Sequence, residues 1–114
     1  VFGYNCADSH PIVARRVIKA RENGAKIIVC DPRRIETARI AHRHLQLNNG
    51  SNMALVNAFG YVLLEEELYN KAYVERYTEG LDAYREAVKD YPPEAVEEIV
   101  GVSAQAICEA MRLF

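Results

Sequence analysis

Cysteine is scarce in this chain: Cys6, Cys30 and Cys108 are the only three among 114 residues, an odd number at unrelated spacings. That argues against a disulfide framework and fits a reducing compartment, so a cytoplasmic location is expected. A cationic excess is also missing. Fourteen Lys and Arg stand against sixteen Asp and Glu, a net charge of −2, whereas binding to nucleic-acid phosphates usually shows as a basic surplus. No apolar run reaches the ~20 residues that cross a bilayer. The most hydrophobic stretch, Met53 to Leu64, is interrupted by Asn57 and Gly60. Val1 opens directly in an apolar segment with no basic residues before it, so no signal peptide is expected. Repeats and low-complexity tracts are absent, and so is the G-x-G-x-x-G fingerprint of standard NAD sites.

What is present is an ordinary globular composition, 50% apolar and 26% charged. That is enough to bury one core, and a single domain over residues 1–114 is expected. Val1-Phe2 reads as the tail of a strand ending near Gly3-Tyr4, and Ser103 to Phe114 as a helix that simply stops; both ends look cut. Pro11 suits the first turn of a helix, where its missing N–H costs nothing. Ile12, Val13, Val17 and Ile18 give that helix an apolar face, and Asn23-Gly24 closes it. Ala25 to Cys30 is a short β-branched run bounded by Gly24 and Pro32, expected as a strand buried on both faces.

These elements form a βαβ unit with a parallel pair and a right-handed crossover. Ile35 to Ala41 predicts one or two helical turns, and His42 to Leu47 a third strand. Asn52 to about Glu67 reads as a long helix, apolar nearly all round in its first half and therefore buried. Three or four short helices follow, punctuated by Gly80, Pro92-Pro93 and Gly101, with Ser103 as N-cap of the last. The fold class is α/β: a Rossmann-like three-layer αβα arrangement with a short parallel sheet, then a helical C-terminal half.

Two loops carry candidate chemistry. Gly3 to Pro11 lies at the carboxyl edge of the first strand, where open α/β sheets bind ligands. Gly3 allows close approach to the backbone, the following helix end favours a phosphate, and Asn5, Asp8 and Ser9 add hydrogen-bonding groups. The same residues also suffice for a plain polar turn in which Asp8 or Ser9 caps the helix. After the second strand, Asp31 stands where dinucleotide folds place a ribose-binding acid, with Arg33 and Arg34 able to meet phosphate or stack on a base. Here too a capped turn with two solvated arginines is the plainer alternative. Cys30 reads as a small core residue, and Cys6 could be a reactive thiol but has no partner base. His42 and His44 point the same way on a strand, yet no third metal ligand lies near. Glu65-Glu66-Glu67 reads as a solvated helix end.

Taken together, these segments resemble a known family. VFGYNCADSHP at 1–11, GAKIIVCDPR at 24–33 and IETARIA at 35–41, continued by NGSNMAL at 49–55, TEG at 78–80 and GVS at 101–103, resemble the catalytic subunit of molybdenum formate dehydrogenases, within the molybdopterin oxidoreductase family. The resemblance covers essentially the whole chain. It implies a bis(molybdopterin guanine dinucleotide) cofactor, a cysteine or selenocysteine on the metal and an iron–sulfur (4Fe–4S) cluster. By analogy, Gly3, Asn5, Asp8 and Ser9, then Cys30, Asp31 and Arg33, then Leu47, Gly50, Ser51 and Asn52 hold the guanosine and pyrophosphate of one cofactor arm. Many members carry Pro-Gly-Thr-Asp where this chain has Asn49-Gly50-Ser51-Asn52, so the contact made by Asn52 lacks the usual carboxylate.

None of Cys6, Cys30 or Cys108 matches the metal-ligand position. The resemblance therefore implies that this segment contributes no catalytic residue and no metal ligand, and that the cluster lies outside it. Its expected partners are the remaining domains of the parent subunit and electron-transfer subunits, with neither nucleic acid nor membrane insertion. Two other readings stay open: a free-standing NADP- or GTP-binding module, and a helical interaction domain whose loops are structural. Asp31 would repel the 2′-phosphate of NADP.

Overall fold

The computed structural model describes all residues, Val1–Phe114, and the chain divides into two compact units. One comprises Val1–Leu47 with Leu113–Phe114, the other Asn48–Arg112. It is a mixed, helix-rich fold with a short two-stranded parallel sheet.

In the first unit, Phe2 makes a single parallel bridge to Cys30, where an initial strand was expected. A four-residue helical turn, α1 (Cys6–Ser9), then occupies the segment read from the sequence as a polar turn. Helix α2 (Pro11–Glu22) starts at its proline and ends before Gly24, whose φ of +96° is the left-handed conformation that stops a helix. Strand β1 (Ile28–Cys30) is shorter than the β-branched run that predicted it. A single turn, α3 (Glu36–Arg39), leads to β2 (Arg43–Leu45), which pairs in parallel with β1 in the register Ile28–Arg43, Val29–His44, Cys30–Leu45. β1 thus has Phe2 on one side and β2 on the other. Ile27, Val29 and Ile35 form a buried cluster against which Val17 of α2 and Ala38 and Ala41 pack.

The second unit is all helical: α4 (Asn52–Glu65), α5 (Lys71–Tyr77), α6 (Leu81–Val88), α7 (Pro93–Val100) and α8 (Ala104–Leu113). Helix α4 packs on α6 and α7, burying Leu55, Ala58, Val62 and Leu64. Its first half is not buried all round, as the sequence suggested: Met53 is 70% exposed and Val56 42%. Hydrophobic composition alone does not reveal which side of a helix meets a neighbour. The Ser103 hydroxyl does accept the Ala106 amide, 3.3 Å away, as expected of an N-cap. The glutamates at the end of α4 are exposed, as the sequence suggested, and each also meets a cation. Glu65 meets Arg85, Glu66 accepts two bonds of 2.7 Å from Arg112, and Glu67 meets Lys71 at 2.7 Å. Acidic groups disfavour a helix C-terminus, and these three each have a cation beside them.

Candidate functional site

Parallel pairing fixes where the candidate loops go. Phe2 and β1 run in the same direction, so the chain leaves both at one sheet edge. Gly3 turns there at φ +56° and donates its N–H to the Cys30 carbonyl over 2.8 Å. The loops Gly3–Ser9 and Cys30–Arg33 are therefore brought together.

Within the first loop, the Asn5 side-chain amide donates to the Asp8 carboxylate. The Ser9 hydroxyl donates back to the Asn5 carbonyl at 2.9 Å. Neither Asp8 nor Ser9 is an N-cap of α2: its N-cap is His10, without a side-chain capping bond. The carbonyl oxygen of the Asn5 side chain, Oδ1, is buried and accepts no hydrogen bond at all. Buried polar atoms are nearly always paired, so an orphan is an opening for a donor supplied from outside. Cys6 is fully buried, its sulfur 3.4 Å from the Thr37 hydroxyl, and is not the accessible thiol the sequence allowed. A cleft of about 440 Å³ adjoins this loop, with Asp8, Ala14, Val17 and Thr37 among its walls.

In the second loop Asp31 is almost completely buried. Its Oδ1 accepts the Arg33 amide at 2.8 Å and lies 3.7 Å from the Arg33 guanidinium, which is itself exposed. The capped turn is thus present, and Oδ2 remains as an acceptor that takes no bond from the chain. Cys30 is buried, and desolvation pushes its thiol up to about 11, so the sulfur stays protonated at neutral pH. Leu47 is likewise a core side chain, 2% exposed. Any ligand contact from Cys30 or Leu47 must come from backbone.

Gly50, Ser51 and Asn52 belong to the second unit. Gly50 turns at φ +84°, and Ser51 precedes α4 without capping it. Its hydroxyl donates backward to the Asn48 carbonyl over 2.8 Å. The first amides of a 14-residue helix are left uncapped by that side chain, a setting that suits an anion.

Sequence reasoning missed what the strand histidines do. His42 Nδ1 accepts the Ile27 amide at 3.0 Å, and His44 Nε2 donates to the Asp31 carbonyl at 3.0 Å. No group of three or more His, Cys, Asp or Glu side chains is placed to hold a metal ion.

Two carboxylates and an orphan amide oxygen make a donor-seeking site. Such acceptors call for hydroxyl or N–H donors, and Arg33 and Arg34 on the same loop as Asp31 carry positive charge. The chain is 63% identical to formate dehydrogenase H of Escherichia coli over all 114 residues, which is 16% of that protein's length. It is 40% identical over its whole length to the F420-dependent formate dehydrogenase subunit alpha of Methanocaldococcus jannaschii, covering 17% of it. Among solved structures, acetylene hydratase from Pelobacter acetylenicus superposes with a TM-score of 0.84 at 36% identity, over 88% of this chain and 14% of that one. The molybdopterin oxidoreductase family description matches residues 1–111, and the chain belongs to that family.

Proposed function

We propose that this chain is the cofactor-holding part of a formate-oxidising molybdopterin enzyme, gripping the guanosine and pyrophosphate of one molybdopterin guanine dinucleotide arm. The observation that carries the reading is the buried Asn5 Oδ1 with no partner, on the loop that follows Phe2, taken with the Asp31 oxygen left unbonded on the loop that follows β1. Asn5 and Asp31 accept from the nucleoside. Gly3 lets the backbone approach, Asp8 and Ser9 order Asn5, and Arg33 faces phosphate. Cys30 and Leu47 serve through backbone, and Gly50, Ser51 and Asn52 present the amides of α4 to the pyrophosphate.

The Rossmann-like reading belongs here as well. It is supported by β1 lying between Phe2 and β2, both parallel to it, with α2 as the crossover. When bound, the molybdenum group supplies the acceptor for the two electrons released as formate becomes carbon dioxide and a proton. The residues of this chain bind and orient; none acts on formate. The choice of formate leans on the 63% identity to formate dehydrogenase H. A 4Fe–4S cluster elsewhere in the parent, partner subunits for electron transfer and a cytoplasmic setting complete the proposal.

Calorimetric titration of the chain with GDP and with NADP tests it. We expect GDP to bind and NADP not to; a preference for NADP, or silence toward GDP, overturns the reading. After loading with cofactor, formate-dependent dye reduction by this chain alone should be nil, and turnover would refute its purely holding role.

A further inference from the structure

We infer that His44 and Gln46 are positioning residues that hold the Asp31–Arg33 turn in its ligand-ready shape by donating to two successive backbone carbonyls. The inference rests on the reading of that turn as a nucleoside-binding segment.

Side chains two apart on an extended chain share a face, and His44 and Gln46 share the one turned toward the end of β1. His44 Nε2 donates to the Asp31 carbonyl at 3.0 Å, and Gln46 Nε2 donates to the Pro32 carbonyl, also at 3.0 Å. Leu45 between them points into the core and offers its own carbonyl to the Asp31 amide at 3.2 Å. The Arg33 amide then closes onto Asp31 Oδ1. Every polar backbone atom of Asp31 is thus taken from the β2 side, and so is one carboxylate oxygen by the turn itself. The second oxygen is left with a fixed direction and no partner. A loop held this way loses little conformational freedom when a ligand arrives, which is how preorganisation adds affinity.

A carbonyl can only accept, so Nε2 of His44 is the donor to Asp31. Gln46 is exposed.

The test uses the full chain with His44→Leu, Gln46→Leu and the donor-preserving His44→Gln. Two quantities are read: hydrogen exchange at the Arg33 amide by NMR, and GDP affinity by calorimetry. We expect each leucine variant to speed Arg33 exchange and to weaken GDP binding by about fivefold or more, the order of one lost hydrogen bond. His44→Gln should restore both. Gln46 lies at the surface, so its replacement leaves the fold intact even if His44→Leu does not. GDP affinity unchanged in Gln46→Leu and His44→Leu, with wild type binding normally, overturns the inference alone. Wild-type silence toward GDP overturns the site itself, and the positioning role with it.

Discussion

Ile27 and His42 exchange two hydrogen bonds, one of them through a side chain. The His42 amide donates to the Ile27 carbonyl at 2.7 Å, and the Ile27 amide donates to the His42 ring nitrogen Nδ1 at 3.0 Å. The imidazole thus replaces a backbone acceptor just before β2 begins.

The arrangement requires a neutral ring. Protonation of Nδ1 removes the acceptor and sets a cation near Lys26, Arg21 and Arg43; desolvation first, then those charges, hold the His42 pKa below its usual 6.5. A histidine with a depressed folded pKa contributes stability that is complete above the unfolded value and is lost as pH falls through the folded one. Urea midpoints should therefore decline as pH drops below about 6.5, and His42→Gln, which keeps an acceptor but not the titration, should flatten that decline. An equal slope in the variant would remove His42 from the account.

Asn5 should separate stability from binding. Its Oδ1 is buried without a partner, and such an atom costs about 1–3 kcal/mol of desolvation. Replacing it by Ala removes the orphan together with the bond to Asp8. We expect the melting temperature of Asn5→Ala without ligand to hold or rise, while GDP affinity falls by about tenfold. A variant that melts lower and binds as before would mark Asn5 as purely structural.

Much of this was legible in the sequence, for reasons that differ by element. Pro11 and Gly24 bracket α2 because a missing donor and a positive φ are local properties, and the chain stops and starts there regardless of its surroundings. Ala25 to Cys30 pointed to a strand because β-branched residues between breakers leave few alternatives. What was not legible depended on contacts distant in sequence. Thr37 beneath Cys6, Arg112 on Glu66, 46 positions apart, and Ile27 on His42 follow no local pattern. The orphaned Asn5 oxygen belongs to the same class, since an unmade bond leaves no trace in composition.

The cysteines give a kinetic prediction. Burial raises the Cys30 thiol to about 11, leaving roughly one molecule in a thousand as thiolate at pH 8. Cys6 is fully buried, whereas Cys108 is half-buried on α8. Under native conditions iodoacetamide should label Cys108 first, and Cys6 and Cys30 only upon unfolding, as mapped by peptide mass. Labelling of Cys30 at the rate of Cys108 would contradict its place in the core.

Two glycines at nearly the same backbone angle should respond differently to the same substitution. Gly80 has φ +80° and Gly101 φ +74°, so an alanine at either pays about 1–2 kcal/mol for the left-handed conformation. At Gly80 a new methyl meets nothing within 4 Å, while at Gly101 it would stand 2.7 Å from Asn48 Oδ1. Asn48 closes the end of α7: its amide donates to the Val100 carbonyl at 2.7 Å and its side chain to the Ile99 carbonyl at 3.1 Å. Pushing it aside endangers both bonds. Gly101→Ala should therefore lose about 1 kcal/mol more than Gly80→Ala in urea unfolding. Adding Asn48→Ala to each should close most of that gap, because the obstructing side chain is then gone from the Gly101 background. Equal losses in the two single variants would mean that Asn48 yields without cost and that backbone strain alone sets the penalty.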